Sequence, residues 1–293
     1  MGSMGKIIVL VAAILAGTTG PVLKLGLDSL SPISLMFIRF SIASLIFGTI
    51  YLIRNKPRKW EHLKEPFKVS FLSAFALILV ILGLSKTTVS NMQAILSIRP
   101  LIIAIGAYHL LGERVSKAKK IGLVSGLLGL LIIVFQPAVY GENGLSVGSL
   151  EGNLLMLGSA FVSALYTIKS KRVSDTHLAQ TMTFTTFIVT SVLFGLIALG
   201  RHYFLDISLL EGFNAQSAWV LAYLVLFSTL LMFYMYILGL KKTSATFVGI
   251  SQYVQFLVTV ILGIIFFRDS VTPMFIVGSG LILFAAYLGG NSD

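Results

Sequence analysis

Long apolar runs alternate with short polar turns along almost the whole chain. Each run has about 20 residues, the length that an α-helix needs to cross the hydrocarbon core of a bilayer. The pattern predicts ten spans, at residues 6–25, 33–53, 69–84, 89–111, 120–136, 152–170, 178–199, 217–239, 245–267 and 273–289. Longer loops are predicted only at residues 54–68, 137–150 and 201–216. The predicted fold class is an all-α polytopic membrane protein.

The second half of the chain repeats the first. Residues 81–84 (Ile-Leu-Gly-Leu) recur at 237–240, and Lys86-Thr87 recurs as Lys242-Thr243. At the same offset the acidic residue Glu113 matches Asp269. Each half then holds five spans, and because five is odd the second half must run inverted to the first.

Inverted repeats are typical of secondary transporters, whose substrate sites lie near the midplane between the repeats. We therefore predict two inverted five-helix repeats, at residues 4–136 and 151–290, joined by a connecting loop at residues 137–150.

Composition supports a membrane protein and narrows its partners. The 293 residues are 56% hydrophobic and only 11% charged, with a mean hydropathy of +0.94, whereas soluble domains carry about 25% charged residues. The net charge of +11 indicates basic cytoplasmic loops rather than nucleic-acid binding. Most Lys and Arg residues fall on one side if both termini are cytoplasmic. The chain has no Cys, which excludes disulfides and thiolate metal sites.

Polar residues inside the spans are the candidates for substrate binding, because each one costs free energy in hydrocarbon unless it is satisfied or solvated. Predicted span 4 and its repeat, span 9, are the richest, and spans 1 and 6 add one candidate each. The candidates are Asn91, Gln93, Ser97, Arg99, Gln252, Tyr253, Gln255, Thr18 and Tyr166. The alternative is that these side chains only hydrogen-bond neighbouring helices, which is worth about 0.6–2 kcal/mol each.

Arg99 is the most informative of these residues. It lies near the middle of span 4, where a lone charge costs at least roughly 2.5 kcal/mol on the insertion scale. The 11 acidic residues are all predicted in loops, at span ends or at the terminus. A water-filled cavity, backbone carbonyls or an anionic substrate group are therefore the candidates to neutralise Arg99. The lack of a membrane-embedded Glu also argues against proton–drug exchange of the small multidrug type.

The motif order resembles that of the EamA-type drug/metabolite transporters. The residues that carry the resemblance are Leu25-Gly26-Leu27, Ser31-Pro32, Arg39-Phe40, Gly83-Leu84, Lys86-Thr87-Thr88, Pro100, Leu110-Leu111-Gly112-Glu113-Arg114, Gly122 and Gly126. The resemblance covers essentially the whole chain in two EamA units. It implies a ten-helix bundle with a central cavity lined by helices 1, 3, 4, 6, 8 and 9, and alternating access by rocking of the two halves. One departure is Gln255-Phe256, where the first copy has Arg99-Pro100.

Other functional classes find less support in the residues. The 4 histidines are scattered without metal-ligand spacing, no catalytic cluster is visible, and no filter loop indicates a channel. We predict a multi-pass secondary transporter of the inner membrane, monomeric or weakly dimeric, without a cofactor. Its predicted cargo is a small polar metabolite, either an amino acid-like zwitterion or an organic anion. The alternative is a broad-specificity exporter of hydrophobic or drug-like compounds.

Overall fold

The computed structural model describes residues 2–54, 61–99, 102, 117–141, 145–174, 179–232, 235 and 245–290. These residues are helical apart from short turns. The helices are α1 (Gly2–Gly26), α2 (Pro32–Arg54), α3 (Glu61–Lys86), α4 (Val89–Leu96), α5 (Lys117–Tyr140), α6 (Leu150–Ser174), α7 (Ala179–Leu205), α8 (Ala215–Tyr223), α9 (Ala245–Phe267) and α10 (Pro273–Gly290). After α8 the chain continues as a π-helical segment, Leu224–Leu231. The predicted all-helical membrane fold is confirmed.

Several helices begin at the polar residues that the sequence places before them. Pro32 and Pro273 occupy the first turns of α2 and α10, because proline needs no hydrogen-bonding partner there. The hydroxyl groups of Ser31 and Thr272 accept the backbone N–H groups of Ser34 (3.2 Å) and Phe275 (3.1 Å). Side chains therefore satisfy amide groups that a helix start leaves free.

Some helices extend beyond the predicted spans. Helix α3 begins at Glu61 rather than near residue 69, and α5 continues through Pro137 to Tyr140. Helix α7 ends at Leu205 rather than near residue 199. The apolar pattern locates only the part of a helix that lies in hydrocarbon, whereas backbone hydrogen bonding carries the helix further into the polar region.

Helix α1 contains Pro21 in its interior, yet it is continuous from Gly2 to Gly26. Pro21 has no N–H group for the carbonyl of Gly17, four residues earlier. The hydroxyl of Thr259 on α9 donates to that carbonyl at 2.8 Å. A neighbouring helix thus replaces the missing intrahelical partner, and α1 does not break.

Helix packing has the pattern expected for two related halves. By position in each half, α1 corresponds to α6, α3 to α8 and α4 to α9. Helix α1 packs on α9, and their counterparts α6 and α4 also pack on each other. In the same way α3 packs on α6, and their counterparts α8 and α1 pack on each other. The pairs α2–α7, α5–α10 and α4–α9 map onto themselves. This is the packing that an internal twofold relation between five-helix units produces.

The outer surface of the bundle is apolar. Large hydrophobic side chains such as Leu45, Ile53 and Leu196 are at least 60% exposed. Within the described residues, four helical stretches are long and apolar enough to cross a membrane: Gly5–Gly26, Pro32–Ile53, Leu63–Lys86 and Gln180–Leu205. Shorter apolar helices accompany them. An exposed apolar belt of this kind fits a protein whose solvent is lipid.

Candidate functional site

The turn between α3 and α4 is held from both sides by opposite charges. The ammonium group of Lys24, on α1, donates to the carbonyls of Leu84 (2.6 Å) and Thr87 (2.8 Å), at the carboxyl end of α3. A carboxylate oxygen of Asp269 accepts the backbone N–H of Ser90 at 2.8 Å, at the amino end of α4. Both charges complement the helix dipole that they face. We call this end of the bundle the linker end, because residues 145–149 also pack there.

Asp269 is a buried carboxylate, with only 6% of its surface exposed. Arg268 takes a left-handed conformation (φ 54°), which turns the chain after α9 back towards Gly263. A Cβ at Gly263 would lie 2.6 Å from the Asp269 carboxylate, so glycine leaves the space for it. Burial raises the pKa of the Asp269 carboxyl above its ordinary value, and the hydrogen bonds from Ser90 and the charge of Lys24 offset only part of that rise.

The segment 145–149 is packed across the same turn. The Asn91 side chain donates to the carbonyl of Val147 at 2.7 Å, and the Ser149 N–H donates to the carbonyl of Lys86 at 2.9 Å. On the other flank, the Ser270 N–H donates to the carbonyl of Ser146 at 3.0 Å. The segment therefore joins α4 of the first half to the α9–α10 turn of the second.

A small polar pocket opens at the linker end. It has a volume of about 270 Å³ and is lined by Lys24, Ser85, Lys86, Thr87, Thr88, Ser146, Gly148, Phe267 and Asp269. Lys86 pairs with Glu151 at its exposed rim. Water can therefore come close to the buried Asp269 carboxyl from this side.

The polar residues predicted on span 4 lie in different surroundings. Asn91 (1% exposed) uses its amide on Val147, as described above, and Gln93 is also buried. The hydroxyl of Ser97 donates to the carbonyl of Gln93 at 2.7 Å. Arg99 follows the described end of α4, is half-buried, and its Nε donates to the carbonyl of Leu96 at 2.9 Å. The rest of predicted span 4, apart from Ile102, lies outside the described residues.

The candidates from spans 1 and 9 lie on two helices that pack together. The hydroxyl groups of Thr18 on α1 and Tyr223 on α8 are 2.7 Å apart. Gln255 is half-buried on α9, and its carbonyl accepts the Thr259 hydroxyl at 3.0 Å. The side chains of Gln252 and Tyr253 lie outside the described residues.

Depth along the helices separates the candidates into two groups. At 1.5 Å per residue, Thr18, Tyr223, Arg99 and Gln255 lie roughly 12–18 Å from the linker end. Tyr166 lies roughly 24 Å from the start of α6, nearer the opposite end. Its hydroxyl is 3.2 Å from that of Thr186, which also contacts Ser70 at 3.2 Å. Tyr166 thus belongs to a separate hydroxyl network between α3, α6 and α7.

A larger groove lies beside that network, at the end of the bundle opposite the linker end. Its volume is about 740 Å³, and it is lined by Glu65, Lys68, Val69, Phe71, Leu72, Phe75, Ile78, Lys169, Val173 and Leu193. The lining is mostly apolar, with charged side chains at the rim.

Sequence reasoning did not identify Asp269 as a site residue. Its match to Glu113 in the repeat was visible, but its position after an apolar run suggested an exposed turn. Tyr223 was also missed, because nothing in the sequence pairs it with Thr18. Among the described residues, no group of three or more His, Asp or Glu side chains is placed to hold a metal ion.

Comparisons with known proteins agree with this architecture. The model of the EamA-like transporter family matches residues 3–135 and 150–289. An uncharacterized transporter of Archaeoglobus fulgidus is 25% identical over 91% of both chains. The uncharacterized transporter YetK of Bacillus subtilis is 28% identical over 84% of this chain and 75% of its own length. One solved crystal structure superposes with a TM-score of 0.63 over 98% of this chain and 96% of its own, at 16% identity, which shows a shared fold.

Proposed function

The chain belongs to the EamA-like transporter family, and on that premise we propose that it moves a small polar metabolite across the cytoplasmic membrane by alternating access. The proposed substrate class is an amino acid-like zwitterion or an organic anion. The proposed site lies at mid-depth between the two halves, among Thr18, Tyr223, Arg99 and Gln255.

One observation carries this proposal. A half-buried guanidinium group, Arg99, lies at about the same depth as the Thr18–Tyr223 hydroxyl pair. These residues come from α1, α8 and the chain just beyond α4, and both α8 and α4 pack on α1. A cation at the same depth as a pair of hydroxyl groups is suited to hold a carboxylate or phosphate in a medium where an unpaired charge is costly.

The proposed orientation puts the linker end outside the cell and both termini in the cytoplasm. The basic residues support it: Lys6, Lys68 and Lys169 fall at the opposite end of the bundle, together with the Lys-rich start of α5. Cytoplasmic loops of membrane proteins carry an excess of Lys and Arg.

Ligand-dependent thermal stabilisation of the purified protein tests the substrate class. A ligand that binds the folded protein raises its melting temperature by mass action, so a panel of amino acids, phosphorylated sugars, nucleobases and organic cations separates the classes. We expect stabilisation by carboxylates or phosphates, with at least a tenfold loss of affinity in Arg99→Gln, which removes about 1.4 kcal/mol or more.

The matched control for that variant is Arg201→Gln, which makes the same substitution at the linker end, where Arg201 donates to the Ser31 hydroxyl. It should leave ligand affinity unchanged. If Arg99→Gln folds normally and binds the same anions as tightly, the proposed site is wrong.

The groove lined by Phe71, Phe75 and Ile78 favours a second candidate, an exporter of hydrophobic compounds. In that case apolar cations would stabilise the protein, carboxylates would not, and Arg99→Gln would have no effect on binding. Phe75→Ala would then weaken ligand binding, whereas it should not affect an anion held at mid-depth.

A further inference from the structure

We propose that the Asp269 carboxyl group is a proton-binding site that couples closure of the linker end to proton uptake from outside the cell. This inference rests on the proposed function, because it requires a linker end that opens and closes and that faces outward. It adds a coupling ion and a residue that binds it.

The carboxyl group lies where three separate parts of the chain meet. Asp269 follows α9 in the second half and contacts Ser90 of α4 in the first half. The neighbouring Ser270 holds segment 145–149 through Ser146. Because these parts belong to different halves, opening the linker end separates them and returns the carboxyl group to water.

Closure therefore takes a solvated carboxylate into a site where the surrounding groups offset only part of the cost of burial. The Ser90 N–H donates to one carboxylate oxygen at 2.8 Å, and the Ser90 side chain and the Val89 backbone also stabilise the charged form. The ammonium of Lys24 donates to the Leu84 and Thr87 carbonyls, so its attraction to Asp269 is exerted across the turn. Burying an ion costs more free energy than burying the neutral acid, and closure thus favours the protonated form.

The other charged groups near this site do not reverse that conclusion. Asp28, beyond the end of α1, acts on Lys24, and on the α3 and α6 side Lys86 and Glu151 neutralise each other at the exposed rim. Arg268 precedes Asp269 on the α9–α10 turn. In this structure, where the linker end is closed, the pKa of the Asp269 carboxyl is raised, which agrees with proton uptake on closure. Because the state with the higher pKa binds the proton more tightly, lower pH favours the closed state.

The proton has a route to this carboxyl group. The pocket of about 270 Å³ at the linker end is lined by Asp269 and Lys24 and reaches the surface near Ser85 and Lys86. Hydronium delivers a proton to the carboxylate there and leaves as water. An acidic exterior would then promote closure after substrate exchange on that side.

The experiment uses a chain with no native cysteine. Val147→Cys places one thiol on the buried side of segment 145–149, at a position where the native residue is 1% exposed. Its rate of labelling by a membrane-impermeant maleimide reports how often the linker end opens. Ser85→Cys, at an exposed position of the same end, corrects for the pH dependence of the thiol reaction itself.

Measured from about pH 5 to about pH 9, the ratio of the two labelling rates should rise with pH until the raised pKa of the Asp269 carboxyl is passed, by at most tenfold per pH unit for one linked proton. Asp269→Asn stays neutral and keeps an acceptor for the Ser90 N–H, so its ratio should be low and independent of pH. Glu151→Gln removes an exposed carboxylate at the same end and should leave the slope unchanged.

A flat ratio, a ratio that falls with rising pH, or an Asp269→Asn variant that keeps the original slope overturns the proposal. If Asp269→Asn does not fold, Lys24→Gln provides the second test. Loss of its positive charge strengthens proton binding, so the transition should move to higher pH, and an opposite or absent shift contradicts the proposal. No substrate enters these measurements, so they are independent of the Arg99 test.

Discussion

At the scale of single residues, a neighbouring helix can satisfy a backbone group that its own helix leaves without a partner. Pro21 leaves the Gly17 carbonyl without a partner in its own helix, and the Thr259 hydroxyl on α9 supplies one at 2.8 Å. The same hydroxyl lies 3.0 Å from the carbonyl of Gln255 in its own helix. In a membrane an unsatisfied carbonyl costs several kcal/mol. Because the Thr259 hydroxyl satisfies the Gly17 carbonyl, a proline is tolerated inside α1.

This arrangement predicts the effect of Thr259→Val, which keeps the shape and removes the hydroxyl. We expect it to reduce the free energy of unfolding by about 0.6–2 kcal/mol, measured by denaturant titration in detergent. Thr49→Val is the matched control, because among the described residues the Thr49 hydroxyl bonds to Leu45 of its own helix alone and should matter little.

A double-mutant cycle tests the assigned cause. In a Pro21→Ala background the helix regains the N–H group for Gly17, so Thr259→Val should cost less than in the native chain. Equal costs in the two backgrounds would show that Thr259 does not act through the Gly17 carbonyl.

At the scale of helices, small residues decide which pairs pack closely. Helices α5 and α10 cross at Gly129 and Gly278, where a Cβ on Gly129 would lie 2.5 Å from the Gly278 carbonyl oxygen. Lipid offers no hydrophobic driving force between helices, so close backbone contact of this kind supplies much of the association.

Gly129→Ala should therefore destabilise the protein by about 1–3 kcal/mol, because the two backbones must move apart. Gly280→Ala is the matched control on α10, since a Cβ there meets nothing within 4 Å. It should be neutral or stabilising by up to about 1 kcal/mol. Thermal unfolding of both variants in the same detergent measures the difference, and equal effects would contradict the assigned role of Gly129.

At the scale of the whole molecule, segment 145–149 holds the two halves together at the linker end. Ser146 and Ser270 exchange two hydrogen bonds, each 3.0 Å long, while Asn91 and Lys86 hold the segment on the other flank. Under the proposed alternating access, these contacts would have to break in every cycle.

A disulfide between Ser146→Cys and Ser270→Cys should therefore stop the cycle. The native chain has no other thiol to interfere, and residues that share two short contacts lie close enough for a disulfide. We expect uptake into liposomes to be lost under oxidising conditions and restored by a reducing agent, while each single cysteine variant remains active. Full cross-linking without loss of transport would show that this end does not move.

The sequence by itself determined the class and located most of the helices, and it predicts the internal repeat. Hydrocarbon demands about 20 consecutive apolar residues of each helix that spans it, so most spans could be located from the sequence, whereas the two halves stay a prediction from the Lys-Thr and acidic matches. It also identified the polar residues of the spans, although it could not say which of them meet. Its errors concerned the helix ends.

Only the tertiary structure decided how the individual polar groups are used. Thr18 meets Tyr223, which is 205 positions away, Asn91 binds the connecting segment, and Asp269 is buried against Ser90, which is 179 positions away. The sequence pattern of a helix reports its periodicity and its length, but not which residue of another helix it faces. That partner fixes whether a carboxylate is solvated or buried, and hence whether it can bind a proton in the cycle.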